Sequence, residues 1–145
     1  WFCILNTNWP VKLTDIFYFE GQKSIEDIPK YNYIADLLIG CLTKSDLLEA
    51  TIPAKVMSYI ASGKPMVLAM DGEVQKLINE TIRCGYASPT EDSNALKNNI
   101  KKMYQLTNKE RQAMGKHGRD YHFKHFERNL VLDKLYRFIF DNSPV

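Results

Sequence analysis

The chain has 145 residues, of which 45% are apolar and 25% charged, and its formal net charge is +2. This is the composition of one ordinary globular domain, and so small a charge predicts no nucleic-acid partner. No apolar run approaches the roughly 20 residues that span a bilayer. Three widely spaced cysteines, Cys3, Cys41 and Cys84, predict neither a metal site nor a disulfide framework, and they fit a reducing compartment.

Apolar runs alternate with a helical pattern in the first part of the chain. Residues 1–5 and 16–19 are continuous apolar runs that predict two buried strands. Ser24 begins a helix, with Asp27 three residues on as a loose capping box. Residues 37–42 form a third apolar run, which predicts the next strand.

The middle of the chain carries the clearest helix signals. After a polar loop over residues 43–50, Thr51 is the predicted N-cap, and Pro53 fits the first helical turn. Gly63 ends this helix as a C′ glycine, and Pro65 prevents its continuation.

The rest of the chain adds two strands and then only helices. Residues 66–70 and 84–87 are predicted strands on either side of a helix over residues 74–80. The last third has no strand signal, and three more helices are predicted there, the first two capped by Ser93 and Asn108 and the third running over residues 128–140. This order predicts an α/β fold: a Rossmann-like parallel sheet flanked by helices, with a helical C-terminus.

Parallel sheets of this kind bind ligands at the carboxyl ends of their strands, which directs attention to the helix after residue 50. A helix N-terminus offers unpaired N–H groups and a positive dipole end, which suit a phosphate. Lys55 in its first turn is unfavourable for the dipole alone, and an anionic ligand would offset that cost. The alternative interpretation is that Lys55 extends into water.

A second turn at the carboxyl end of a strand repeats the arrangement. Gly72 precedes a helix whose first turn carries Glu73, which could accept hydrogen bonds from sugar hydroxyls or only complement the helix dipole. Glu49, in the preceding loop, is a weaker candidate for a sugar or ribose contact. No Ser-His-Asp, Cys-His or Walker-type motif is present in the sequence.

Residues 51–65, TIPAKVMSYIASGKP, resemble the core motif of family 4 (group 1) glycosyltransferases. Within that family they look closest to a bacterial branch that includes aminosugar transferases of O-antigen and capsule synthesis. The flanking residues 19–36, 72–92 and 110–119 resemble three further segments of the family pattern in the same order. The similarity covers roughly residues 16–140.

The resemblance implies a retaining GT-B enzyme, in which two Rossmann-like domains face each other across a cleft, with no metal and no cofactor besides the nucleotide-sugar substrate. Residues 1–145 would be part of the donor-binding C-terminal domain, without its first strand and helix and without the acceptor domain. UDP is the default base. The implied donor contacts are Gly21, Gln22 and Lys23 near the base, Thr51, Pro53, Ala54 and Lys55 near the diphosphate or ribose, and Gly72 and Glu73 near the sugar or phosphate.

The implied partners follow from the same family. They are a nucleotide sugar and a glycan or lipid-linked acceptor, which the missing domain would hold. The full-length protein would be cytoplasmic and would work at the inner face of the plasma membrane, and nucleic acid is not among its partners. The isolated fragment should not transfer sugar, because half of the cleft is absent.

Two departures from the family pattern put parts of this reading in doubt. Ser58 stands where many members carry a glutamate that binds the ribose hydroxyls, so Ser58 is carried as a weaker ribose contact. Residues 6–9 replace the family's glycine-rich turn and helix. Two alternatives therefore stay open, a GT-B UDP-sugar 2-epimerase and a non-catalytic Rossmann-like domain.

The last predicted helix, over residues 128–140, is rich in aromatic and aliphatic side chains. It either packs entirely on its own domain or exposes apolar surface that favours self-association of the fragment. His117, His122 and His125 precede it and are interpreted as surface histidines.

Overall fold

A computed structural model describes residues 21–140 of the chain. The strands predicted over residues 1–5 and 16–19 therefore lie outside the described residues. In chain order the elements are α1 (Ile28–Ile34), β1 (Leu38–Cys41), α2 (Asp46–Glu49), α3 (Ala54–Ser62), β2 (Met66–Ala69), α4 (Glu73–Lys76), a π-helical segment (Leu77–Ile82), β3 (Gly85–Ser88), α5 (Ser93–Gln105), α6 (Asn108–His125) and α7 (Arg128–Phe140). The predicted α/β class is confirmed.

The three described strands form one parallel sheet in the order β1-β2-β3. Met66 of β2 is in register with Leu38 on one side and with Gly85 on the other. All four residues of β2 are buried, as expected for a central strand covered by helices on both faces. The continuous apolar run of β2 therefore reflects its central position in the sheet.

The core lies between this sheet and one face of each neighbouring helix. Val56 and Ile60 of α3 have no exposed surface, and Val74 and Ile78 are equally buried on the helical segment after β2. Their spacing of four residues puts each pair on one helix face. Met103 is buried as well, on α5, which contacts β2 and β3. Burial of each such side chain contributes about 1.5–3 kcal/mol.

Helix α6 packs on α3 through glycines. A Cβ atom built on Gly115 would lie only 2.1 Å from the carbonyl oxygen of Gly63, and one on Gly118 would lie 3.3 Å from the Cβ of Cys84. Gly63 ends α3 in the left-handed conformation, at φ 72°, as predicted. The small residues therefore allow the backbones of α3 and α6 to touch.

The helix predicted over residues 74–80 begins at Glu73 and changes to π-helical geometry from Leu77 to Ile82. In this segment the side-chain amide of Asn79 pairs with β3: Nδ2 donates to the carbonyl of Ala87 at 2.9 Å, and the N–H of Ala87 donates to Oδ1 at 2.8 Å. Since β3 is the last strand of the described sheet, Asn79 takes the place of a neighbouring strand at that residue.

Two predicted helix starts are wrong, and a proline explains each. Helix α3 begins at Ala54 with Pro53 at the cap position, and the Thr51 hydroxyl donates instead to the carbonyl of Leu47 at 3.2 Å. The residue before a proline is disfavoured in a helix, so α3 cannot include Ile52. Thr51 therefore extends the end of α2, a short helix inside the region predicted as a loop.

The predicted capping box at Ser24 is wrong for a related reason. Helix α1 begins only at Ile28, and Asp27 is its cap residue. Pro29 is tolerated in a first turn but not further inside a helix, so the helix cannot begin at Ser24. The Ser24 hydroxyl donates to the Asp27 carboxylate at 2.9 Å and caps no backbone group.

The caps of α5 and α6 lie one residue before the predicted ones, Ser93 and Asn108. Asp92 accepts from the N–H of Ala95 at 2.8 Å, which caps α5. Thr107 and Glu110 form a reciprocal capping box at the start of α6. In both helices the cap is the side chain that reaches the N–H three residues on.

Helix α7 has no buried residue. Its apolar side chains are exposed along the helix, among them Leu135 at 51% and Phe138 at 71%. Of the two alternatives for this helix, complete packing on its own domain is therefore wrong for the described residues. None of the helices described between residues 21 and 140 is long and apolar enough to cross a bilayer.

Candidate functional site

The carboxyl ends of the three strands meet at one edge of the sheet, called here the carboxyl edge. It is formed by the loops of residues 42–53, 70–72 and 89–92, which follow β1, β2 and β3. The ladder continues one residue past the strands, since Leu42 donates to Ala69 and Met70 donates to Ser88, each at 3.0 Å. The three loops therefore begin side by side, as the sequence predicts for a parallel sheet.

Asp71 joins two of these loops. Its carboxylate accepts from the backbone N–H of Thr90 at 3.2 Å and from the Thr90 hydroxyl, and also from the side-chain amide of Gln75 at 3.3 Å. Because its carboxylate already accepts three hydrogen bonds, Asp71 connects the ends of β2 and β3 and is not a group that faces a ligand. The sequence predicts a turn at Asp71 but does not predict its hydrogen bonds to Thr90.

Gly72 forms the predicted tight turn, and both its backbone conformation and its surroundings require glycine. Its backbone has φ 76° and ψ −146°, which only glycine adopts readily. A Cβ atom here would lie 2.0 Å from the carbonyl oxygen of Glu49. The turn before α4 therefore packs directly on the end of α2, in the segment that leads through Thr51 to α3. Glu73 is exposed in the first turn of α4.

The N-terminus of α3 follows the loop after β1 and is not capped by a described side chain. Pro53 has no N–H of its own, and its carbonyl accepts from Val56 at 2.9 Å. Ala54 and Lys55 form the first turn, with Ala54 exposed and Lys55 half-buried. No acidic residue lies in that turn to complement the helix dipole.

Ser58 lies one turn further along α3 and has a protein partner. Its hydroxyl oxygen accepts from Nδ2 of Asn32, at 3.3 Å, and Asn32 is itself only 6% exposed. This bond ties α1 to α3. Ser58 is therefore a packing residue in this structure, and a ribose contact would have to share its hydroxyl.

The predicted base contacts Gly21, Gln22 and Lys23 precede α1. Gly21 and Gln22 are exposed, and the Lys23 ammonium lies 5.3 Å from the ring centroid of Tyr31. Lys23 and Tyr31 line an open depression of about 430 Å³. The described contacts do not join this depression to the Gly72 turn.

At the carboxyl edge, the void described between the loops is too small for a nucleotide sugar. This void, lined by Thr43, Glu49, Asp71 and Thr90 among others, measures about 10 Å³. That is room for one water molecule, whereas ligand pockets measure about 300–1,000 Å³. A ligand at this edge would lie on an open surface.

The buried titratable groups lie away from this edge. Burial raises the pKa of the Cys84 thiol to about 12, so Cys84 is a protonated core residue and not a nucleophile. Burial also raises the pKa of Tyr59, whose hydroxyl donates to the carbonyl of Ile39 at 3.4 Å. No group of three or more His, Cys, Asp or Glu side chains among residues 21–140 is arranged to hold a metal ion.

Comparison of the chain with models of protein families, with curated proteins and with solved structures finds no match.

Proposed function

We propose that this domain is the donor-binding half of a GT-B glycosyltransferase and holds the diphosphate of a nucleotide sugar at the N-terminus of α3. The observation that carries the proposal is the uncapped first turn of α3, which carries Lys55 and lies at the carboxyl edge of a parallel sheet. The free N–H groups, the positive dipole end and the ammonium favour the same kind of ligand, a phosphate.

The neighbouring turn supports the same proposal. Gly72 packs on the backbone of Glu49, so the turn before α4 contacts the segment that leads into α3. Both helices start at the carboxyl edge, where they could contact different parts of one extended ligand, with Glu73 exposed to accept hydrogen bonds from sugar hydroxyls. The reaction proposed is transfer of the sugar to a glycan or lipid-linked acceptor in cell-surface polysaccharide synthesis, at the cytoplasmic face of the membrane. Catalysis would require the second domain, which holds the acceptor.

Two observations favour a second candidate, a non-catalytic domain of the same fold. The Ser58 hydroxyl is engaged by Asn32, and a void between the carboxyl-edge loops measures about 10 Å³. A domain that had lost its donor site would retain the fold and the tight turn at Gly72 but would bind no nucleotide. All three histidines of the chain lie on α6 and none lies in a carboxyl-edge loop, so no observation favours the 2-epimerase alternative.

A nucleotide titration separates the two candidates. Amide spectra of the chain would be recorded with UDP, GDP and ADP in parallel, for the wild type and for Lys55→Ala. We expect shifts at residues 51–58 and 72–73 with one nucleotide, and a loss of roughly tenfold in affinity for Lys55→Ala, equivalent to about 1.4 kcal/mol. Lys76→Ala, at the far end of α4, is the matched control and should bind like the wild type.

The outcome decides between the candidates. Shifts confined to the carboxyl edge and weakened only by Lys55→Ala would favour the donor site and would identify the base. Absence of shifts with all three nucleotides at millimolar concentration would favour the non-catalytic domain. Equal binding by Lys55→Ala and the wild type would remove the assigned role of Lys55.

A further inference from the structure

A basic groove lies at the opposite end of the sheet, before the strands begin. It is a cavity of about 350 Å³ between the end of α3 and the first half of α6. The charged and amide side chains that line it include Asp36, Lys64, Asn108, Arg111, Lys116 and Arg119. Four cations and one carboxylate thus face a space large enough for a small ligand.

The groove is built by a close backbone contact between the end of α3 and α6. Because Gly115 packs on the carbonyl of Gly63, Lys64 is held directly beside α6. The aliphatic part of Arg119 packs on Gly63 as well: a Cβ atom there would lie 3.2 Å from Cδ of Arg119. Both cations are therefore positioned by packing rather than by a charged partner.

Two of the four cations already have partners. The guanidinium of Arg111 donates to the carbonyl of Leu106 at 2.7 Å and to the side chain of Asn108 at 2.6 Å, which satisfies the end of α5. Lys116 lies 3.7 Å from Asp120. For Lys64 and Arg119 no carboxylate lies within ion-pair distance in the part of the chain that the structure describes.

The cations outweigh the negative groups around them. The C-terminal end of α3 carries about half a negative charge, which Lys64 and Arg119 more than neutralise. Asp36 adds one negative charge at the rim. The other contacts of the two cations are loose: Lys64 lies 5.5 Å from the ring centroid of Tyr33 and Arg119 5.7 Å from that of Phe123. Their N–H groups can therefore still donate to a ligand.

We infer that the basic groove is a second binding site, for a phosphate group, distinct from the donor site proposed at the start of α3. Lys64 and Arg119 donate charge-assisted hydrogen bonds to its oxygens, and Lys116 can turn from Asp120 towards the same anion. The phosphate would come from a free phosphate compound or from the headgroup of an anionic lipid.

The test uses the whole chain and inorganic pyrophosphate as the probe, followed by amide spectra at constant ionic strength. We expect saturable shifts at residues 63–65 and 108–119, and an affinity that Lys64→Gln and Arg119→Gln each lower by about three- to tenfold. Lys64→Arg keeps the charge and should bind like the wild type. Lys109→Gln is the matched control, since Lys109 is exposed on the same helix and outside the groove.

Asp36→Asn gives an independent check, because this substitution should raise the affinity for pyrophosphate instead of lowering it. Removal of the one carboxylate that lines the groove should tighten pyrophosphate binding. Shifts spread evenly over all surface lysines, or equal binding by Lys64→Gln and Lys109→Gln, would overturn the inference. Spectra that stay well dispersed show that each variant is folded.

A second arm distinguishes the two sources of the phosphate. Vesicles of phosphatidylcholine with and without phosphatidic acid would be sedimented with the protein. Co-sedimentation that needs phosphatidic acid, and that pyrophosphate or Lys64→Gln abolishes, identifies a lipid headgroup. Pyrophosphate binding without co-sedimentation identifies a free phosphate compound, and failure of both arms contradicts the site. Uridine diphosphate binding that Lys55→Ala weakens and Lys64→Gln leaves unchanged separates this groove from the donor site.

Discussion

Single side chains hold the edges of this sheet together. Asp71 joins the ends of β2 and β3 through Thr90, and Asn79 pairs with the outer edge of β3 through Ala87. Both are short polar residues that satisfy backbone groups which a further strand or a turn would otherwise have to satisfy. They supply hydrogen-bond partners to backbone groups at the edge and at the carboxyl end of a three-stranded sheet.

We expect Asn79→Ala to destabilise the domain by about 1–2 kcal/mol, because both the N–H and the carbonyl of Ala87 lose their partner. Chemical denaturation measures the change. Hydrogen exchange should show the Ala87 amide exchanging faster. Asn98→Ala, on the exposed face of α5, is the control and should change stability by less than about 0.5 kcal/mol. Unchanged protection of Ala87 would contradict the assigned role.

At this scale the sequence predicts some residues and not others. Gly63 and Gly72 are predictable because a turn or a helix end requires a conformation that glycine tolerates. Asp71 and Asn79 are not, because their partners lie 19 and 8 residues away and follow from the packing of β3. The predicted caps at Thr51 and Ser24 are wrong because the effect of a nearby proline outweighs the preference of the cap residue.

Between elements, the contact of α3 with α6 shapes the molecule most. A glycine at residue 115 lets α6 approach until its backbone touches the end of α3. Val56 and Ile60 of α3 are buried in the core, whereas the buried residues of α6 are Gly115 and Gly118. The sequence predicts that both helices exist. It does not predict their mutual contact, since the signal is a glycine inside a helix rather than an apolar side chain.

Gly115→Ala tests this contact. Alanine is intrinsically the better helix former by about 1 kcal/mol. Its Cβ would overlap the carbonyl oxygen of Gly63, so we expect a net destabilisation of about 2 kcal/mol instead. Denaturant unfolding measures the sign. Gln112→Ala, exposed on the same helix, should be nearly neutral. A more stable Gly115→Ala variant would show that α6 does not lie this close to α3.

At the scale of the whole molecule, the apolar side chains of α7 form an exposed surface. The helix has no buried residue, and its exposed side chains include Leu132, Leu135, Phe138 and Phe140. The sequence predicts the α/β class, the parallel sheet and the helical C-terminus, and all three are confirmed. It leaves open where α7 packs, because an amphipathic helix shows which face seeks apolar contact and not what provides it.

We expect the chain to self-associate through α7 as its concentration rises, because a continuous exposed apolar face of this kind is rarely left in water. Sedimentation velocity over a concentration series measures it. Phe138→Glu should shift the chain towards the monomer. Arg137→Gln changes the net charge by the same amount on the side of α7 that carries Asp133, and it should not shift the equilibrium. A wild type that stays monomeric throughout the series would contradict the prediction.

Helix α3 links the two sites proposed for this domain. Its first turn, at Ala54, lies at the carboxyl edge, and its last residue, Ser62, precedes the basic groove. The nine-residue helix is about 13 Å long. Because Gly63 packs against the backbone of α6, a displacement of the first turn of α3 would be transmitted to its C-terminal end. If an anion at the first turn displaces α3, the groove widens or narrows with it, and by reciprocity the occupant of the groove changes the affinity for the anion by the same factor.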